Sequence, residues 1–185
     1  MRVPVRRYRR RRGIYRLVVK RSASPMTIEN LRDAYLRLAR VPRASHVAVR
    51  VNPERGRRIA LAYDALPVNP RDPKTLAAYR AFAKEVEAQY DFLKEHIEFT
   101  HTPDDPYPNS ASMIADVREN RRLRVLMGGE PHPLLSERGP DGLSANDKFR
   151  AVHDVFGHAV RGNQFGPNGE ENAWADHSKT FSRQA

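Results

Sequence analysis

Three of the seven histidines lie in one stretch, Ser144–His177, among carboxylates and aromatic side chains. Imidazole nitrogens and carboxylate oxygens bind Zn²⁺ or Fe²⁺, and the same groups act as general acids and bases. We therefore predict a metal or catalytic site in this stretch. His153 and His158 would be metal ligands, and either Glu170 or Glu171 would complete the set. The alternative is a structural polar network that ties two helices together.

Two helices must position these side chains. Ser144 can cap the first, over residues 145–161, whose apolar residues recur at helical spacing. His153 and His158 are five residues apart, which separates them by about 140° of arc in a regular helix. They can share one ion only if the helix is distorted or ends near Gly157.

The second helix begins near Glu170, after a turn over residues 162–169 that is rich in glycine. At about 100° per residue, Glu170, Trp174 and His177 share one stripe of this helix, so Trp174 is predicted to be buried. A polar group left unpaired on such a stripe costs about 1–3 kcal/mol, and a shared metal would supply the partner. The candidate catalytic residues are Asp154 and His177.

The run HDVFGH, His153 to His158, resembles the HExxGH-type motif, in which two histidines on a helix and a later glutamate hold one metal. Aromatic amino acid hydroxylases carry this motif with iron. The dipeptidyl peptidase III family carries it with zinc, and there the acidic residue after the first histidine is the general base. The resemblance implies a divalent metal, Zn²⁺ or Fe²⁺, as cofactor. With zinc, Asp154 would activate bound water; with iron, it would support a ligand imidazole.

Two further resemblances give alternatives. The run FRAVHDVFGHA, with the following GEE and a tryptophan-containing helix, is similar to an uncharacterised protein family of actinobacteria and their phages. This resemblance implies no activity. Our first hypothesis is an enzyme of hydrolase type, and the alternative is a virion-associated structural protein. The pair His153-Asp154 also resembles the HD pair of metal-dependent phosphohydrolases, which would need His132 and Asp176 as additional ligands.

In the zinc peptidases the third ligand lies further downstream than this sequence extends, which leaves the two glutamates as the nearby carboxylates. We therefore expect either that the chain is a truncated form of a longer family or that a homo- or hetero-oligomer completes the site.

Positive charge is concentrated at the start of the chain. Residues 1–21 contain nine Arg and one Lys without an acidic residue, and so carry +10 of the formal net charge of +11. The Arg-rich run over residues 6–12 suits contacts with phosphates, with tyrosines nearby for stacking. We predict that this arm binds nucleic acid or an acidic partner. The alternatives are a solvated tail and a localisation signal.

The whole sequence indicates a small intracellular or viral protein. It has no cysteine, and no apolar run reaches membrane-spanning length, so we expect a cytoplasmic or virion-associated location without membrane contact. Residues 1–22 are predicted to form a basic arm and linker, followed by a single α+β domain over residues 23–185. Its site region spans residues 144–181.

The predicted fold class is α+β, with a small antiparallel or mixed sheet, helices packed on one side and a C-terminal helix pair that carries the histidines. Helices are predicted after Thr27 and from Asp72 to about Ile97. Predicted strands cover residues 14–19, 46–51, 58–63 and 123–127, and the second and third of these would form a hairpin. Residues 100–108 are predicted to be irregular.

Overall fold

The computed structural model of the protein describes residues 26–66, 71–128 and 131–185. The Arg-rich run over residues 6–12 and the predicted strand over residues 14–19 lie outside the described residues. The described elements are, in chain order, α1 (Ile28–Ala39), α2 (Pro53–Ala65), α3 (Pro73–Lys94), β1 (Glu98–Thr102), α4 (Ser110–Ala115), β2 (Arg122–Leu126), α5 (Ala145–His153) and α6 (Pro167–His177). Within these ranges, no helix is both long and apolar enough to span a bilayer.

The fold is α+β, as predicted, but its sheet is parallel. β1 and β2 pair in parallel, with Phe99 opposite Leu123 and His101 opposite Val125. The prediction of an antiparallel or mixed sheet is wrong, because α4 crosses between the two strands and returns the chain in the same direction. The irregular segment is also shorter than predicted, because residues 100–102 complete β1.

The predicted hairpin over residues 46–51 and 58–63 is wrong. Pro53 lies in the first turn of α2, and the Asn52 Oδ1 atom accepts a hydrogen bond from the Arg55 backbone N–H at 3.0 Å. This cap and proline start a helix where a turn was expected. Residues 41–52 have no regular structure.

Instead of pairing with a strand, this segment runs along α6. The backbone N–H of Val49 donates to Asn172 Oδ1, and the Val49 carbonyl accepts from Asn172 Nδ2, both at 2.8 Å. The side-chain amide thus satisfies the backbone groups that a neighbouring strand would have satisfied.

The helix predicted from Asp72 is confirmed as α3, which carries most of the support for the site. Asp72 caps it by accepting a hydrogen bond from the Thr75 backbone N–H at 2.7 Å, and Pro73 follows. Its buried face includes Val86 and Gln89. α3 packs against α5, so residues of its buried face can reach the histidines.

The core lies between α1, α3, the sheet and the α5 region. Phe156 is fully buried there, and its ring lies 5.5 Å from the ring of Tyr35 on α1. The same cluster contains apolar residues from β2 and α4, and Phe99 of β1 packs against it. Since Phe156 lies between His153 and His158 in sequence, the backbone that carries the histidines is anchored in the core.

Candidate metal centre

A buried capping box starts the histidine helix, which consists of α5 and its continuation over Asp154–Ala159. The Ser144 hydroxyl accepts a hydrogen bond from the Asp147 backbone N–H at 3.1 Å, and the Asp147 carboxylate accepts one from the Ser144 backbone N–H at 3.0 Å. These bonds satisfy donors that a helix N-terminus would leave unpaired. The predicted start at Ser144 is therefore confirmed.

The helix that carries the two histidines is distorted at the place where a shared ion would require it. α5 is regular to His153 and continues as a π-helix over Asp154–Ala159, in which the Val160 backbone N–H bonds to the Val155 carbonyl at 2.9 Å. Bonding to the fifth preceding residue, instead of the fourth, widens the turn. The imidazole rings of His153 and His158 therefore lie on the same side, with ring centroids 5.0 Å apart.

Glu170, in the first turn of α6, completes the cluster. Its Oε2 atom lies 3.5 Å from Nε2 of His158 and 3.8 Å from Nε2 of His153. Among the described residues, these three form the one cluster of potential metal ligands, with their ligand atoms all within 4.8 Å of one another. Glu171 is outside the cluster because it is one residue further along α6, about 100° around the helix.

The three residues fit a divalent ion. Ligand atoms of a tetrahedral zinc site with bonds of about 2.0–2.1 Å lie about 3.4 Å apart. The two measured separations from Glu170 approach this value. The Glu170 side chain is 51 % exposed, so it can rotate toward the histidines without disturbing the core. Two imidazoles and one carboxylate suit Zn²⁺ and non-haem Fe²⁺.

The His158 side chain is held in the tautomer that metal binding needs. It is almost fully buried, and its Nδ1 atom lies 2.8 Å from the Asn163 carbonyl oxygen. A carbonyl only accepts, so Nδ1 carries the proton and Nε2 presents its lone pair toward Glu170. Asn163 also donates from Nδ2 to the Gly157 carbonyl at 2.8 Å, which fixes the turn against the π-helix.

His177 lies on the other side of His153 from Glu170. Its Nδ1 atom is 3.2 Å from Nδ1 of His153, and its Nε2 atom is 2.8 Å from Oε1 of Gln89. Burial lowers the pKa of His153 to about 4 and the pKa of His177 well below its usual value, so both rings are neutral near pH 7. His177, predicted as catalytic, thus contacts the imidazole of His153 and is 2 % exposed.

The Asp154 side chain is half-buried and makes no hydrogen bond or ion pair with any residue in the described ranges. Burial raises its pKa to about 7, and the nearby charge of Glu170 adds to the shift. The resemblance to the iron enzymes implied that Asp154 would form a hydrogen bond with the imidazole of His153 or His158. This bond is absent, because the Nδ1 atoms of both rings already have other partners.

His132 and Asp176, the additional ligands that the phosphohydrolase resemblance would need, lie outside the cluster. His132 Nδ1 accepts a hydrogen bond from the Leu134 backbone N–H, and its ring packs on Tyr79. Asp176 accepts a hydrogen bond from His46 Nδ1 at 2.9 Å and is buried.

The prediction that Trp174 is buried is wrong, since it is 60 % exposed. The buried residues of α6 are Ala173, Ala175, Asp176 and His177, so its buried face is rotated away from Trp174. The small Ala173 faces the π-helix, and Trp174 lies beyond the edge of the contact.

Gly157 allows α6 to approach the histidine helix. A Cβ atom here would lie 3.1 Å from both the Cβ and the carbonyl oxygen of Ala173, and 3.2 Å from Cε1 of His153. We expect Gly157→Ala to lower the free energy of unfolding by about 1–3 kcal/mol, as overpacking does, and to weaken metal binding by displacing His153. Urea unfolding and Zn²⁺ titration measure the two effects.

Gly56, in α2, is the matched control for this substitution. No atom would lie within 4 Å of its added Cβ, and its φ is not positive. Gly56→Ala should be neutral or stabilise by up to about 1 kcal/mol. If Gly157→Ala behaved like this control, the close packing of α6 on the π-helix would be contradicted.

Sequence reasoning missed the residues that form hydrogen bonds with the histidines of the cluster and with His177. Asn163 lies in the predicted turn, but nothing in its spacing linked it to His158. Gln89 follows Val86 by three residues on the buried stripe of α3, and a polar residue on such a stripe was a usable signal. Comparisons with family models, curated proteins and solved structures found no match to this chain.

Proposed function

We propose that the protein is a metal-dependent enzyme of hydrolase type, with one divalent ion bound by His153, His158 and Glu170. The observation that carries the proposal is the π-helix, which turns two histidines five residues apart toward one carboxylate. A regular helix would have placed them on diverging faces. The three ligands belong to one chain, so the proposal needs neither a longer chain nor a second subunit.

Three protein ligands are the number that catalytic zinc sites use, since they leave a coordination position for water or substrate. A metal there would lower the pKa of bound water and supply the nucleophile. The site is accessible to a substrate, because half of the Glu170 side chain is exposed and the His153 side chain is 21 % exposed. Iron would fit the same ligands, and elemental analysis of the purified protein distinguishes the two metals.

Asp154 is the residue that we assign as general base. It follows His153 directly and is four residues before His158, and it has no competing partner among the described residues. A carboxylate with a free oxygen beside the ligands can accept the proton of an attacking water, a role that contributes about 10²–10⁴-fold to rate.

Asp154→Asn is expected to lower hydrolysis of ester, peptide or phosphoester substrates by about 10²–10⁴-fold while leaving Zn²⁺ affinity unchanged. A panel of chromogenic substrates with the Zn²⁺-loaded protein measures the rate, and a chelator competition measures affinity. Asp105→Asn, which removes a nearby exposed carboxylate, is the control. Equal rates for the wild type and Asp154→Asn would exclude Asp154 as the base, and a panel without any turnover would count against a hydrolase.

The second candidate function is nucleic-acid binding, as in a virion-associated protein, and the charge of residues 1–21 supports it. We expect removal of residues 1–12 to weaken DNA or RNA binding and to flatten its dependence on salt, because fewer phosphates would be neutralised. Fluorescence anisotropy at several salt concentrations measures both. The histidine cluster lies outside the deletion, so Zn²⁺ affinity serves as the control. Unchanged nucleic-acid binding would exclude the arm as the contact.

A further inference from the structure

We propose that Gln89, on α3, is a positioning residue for the metal centre. Acting through His177, it would fix the tautomer of His153 that leaves Nε2 free to bind the ion. The inference rests on the proposed function and extends it to a residue that does not touch the metal. No motif in the sequence marks Gln89, which lies 64 residues before His153 and is fully buried.

The orientation of the Gln89 amide follows from its second partner, Thr180. The Thr180 hydroxyl donates its only proton to the His177 carbonyl oxygen at 2.7 Å. It must therefore accept in its contact with Gln89, at 3.1 Å, and only the amide nitrogen Nε2 can donate there. The amide oxygen Oε1 consequently faces His177.

The orientation of Gln89 determines the proton positions on both imidazoles. Its Oε1 atom can only accept, so His177 carries its proton on Nε2, 2.8 Å away. Nδ1 of the neutral His177 ring then has a lone pair. In the 3.2 Å contact between the two Nδ1 atoms, the proton must belong to His153. Nε2 of His153 is left unprotonated, and it is the atom that faces Glu170 at 3.8 Å.

The hydrogen-bonded chain Thr180–Gln89–His177–His153 therefore fixes the tautomer of His153, as the Asn163 carbonyl fixes the tautomer of His158. In known metal sites such outer partners fix the ring and the tautomer, and their loss costs about 10–100-fold in affinity. Thr180, Gln89 and His177 are each at most 2 % exposed, so water is not available to replace a missing partner. The opposite tautomer of His153 would place a hydrogen where the ion has to bind.

NMR of the metal-free protein with ¹⁵N-labelled histidine tests this directly, since two-bond couplings show which ring nitrogen carries the proton. We expect His153 to be protonated on Nδ1 and His177 on Nε2. Gln89→Met removes the acceptor at nearly constant volume, and should redistribute the His153 proton and raise the Kd for Zn²⁺ about 10–100-fold. Gln89→Glu keeps an acceptor and should retain the wild-type tautomer.

Val86→Ala is the control, because it creates a cavity one turn away on the same buried face of α3. It should lower stability without changing the tautomer, which separates positioning from packing. A wild-type His153 protonated on Nε2 would overturn the inference, as would a Gln89→Met protein with wild-type tautomers and Kd. If the tautomers are as expected but the wild type binds no Zn²⁺, the hydrogen-bonded chain from Thr180 to His153 is correct and the proposed function is wrong.

Discussion

Replacing Glu170 by glutamine is expected to weaken Zn²⁺ binding by more than about 100-fold, because even the loss of an outer partner of a ligand costs about 10–100-fold. Glutamine keeps the shape of the side chain and removes the negative charge. Since the Glu170 side chain is 51 % exposed, the free energy of unfolding should change by less than about 0.5 kcal/mol. Competition with a chromophoric chelator measures the affinity.

Glu171→Gln is the matched control for this substitution. It removes the same charge from the next residue of α6, which is outside the ligand cluster. Its Kd for Zn²⁺ should equal that of the wild type. Equal losses in the two variants would show that the carboxylates act only through general electrostatic attraction, and would remove Glu170 from the ligand set.

Phe156→Ala is expected to lower the free energy of unfolding by about 3–5 kcal/mol, the range for a large aromatic residue removed from a close-packed core. Phe156 is fully buried against Tyr35 and lies 6.1 Å, between ring centroids, from His177. Urea unfolding followed by circular dichroism measures the change. Because Phe156 lies within the π-helix, Zn²⁺ binding should weaken too.

Trp174→Ala is the comparison, since a large aromatic side chain that is 60 % exposed should contribute less than about 1 kcal/mol. The two substitutions therefore test the burial of the two aromatics against each other. A larger loss for Trp174→Ala than for Phe156→Ala would contradict the packing of α6 described above.

The distortion of the histidine helix could be anticipated from sequence because it follows from one geometric conflict. Two ligands five residues apart diverge in a regular helix, so a shared ion required a wider turn near Gly157. The structure contains that turn over Asp154–Ala159, where Gly157 meets Ala173 of α6. The cap at Ser144 and the start of α3 at Asp72 could also be predicted from the sequence, because both depend on neighbouring residues alone.

The hydrogen-bond partners that orient His153 could not be derived from the sequence, because they depend on how distant elements pack. Gln89 reaches His177 across 88 residues of sequence. The pairing of Val49 with Asn172 likewise depends on a long-range approach, which the alternating pattern of residues 46–51 cannot reveal. Alternation indicates an extended backbone, and it does not indicate whether the partner is a strand or a side chain.

The parallel sheet was missed for a related reason. The strand predicted over residues 123–127 is present within one residue, but its partner β1 follows α3 without a glycine or proline to mark the boundary. Its pattern was therefore included in the preceding helix and the following loop. Without β1, no crossover between neighbouring strands could be inferred, and the sequence predicts an antiparallel or mixed sheet instead.

X-ray absorption spectroscopy of the wild-type protein loaded with one equivalent of Zn²⁺ tests the central claim most directly. We expect stoichiometric binding, two imidazole nitrogens and at least one oxygen in the coordination sphere, and bond lengths of about 2.0–2.2 Å. His158→Ala should lose one imidazole from the spectrum or bind no ion. A wild-type protein that takes up no stoichiometric metal, or whose spectrum lacks imidazole ligands, would contradict the account.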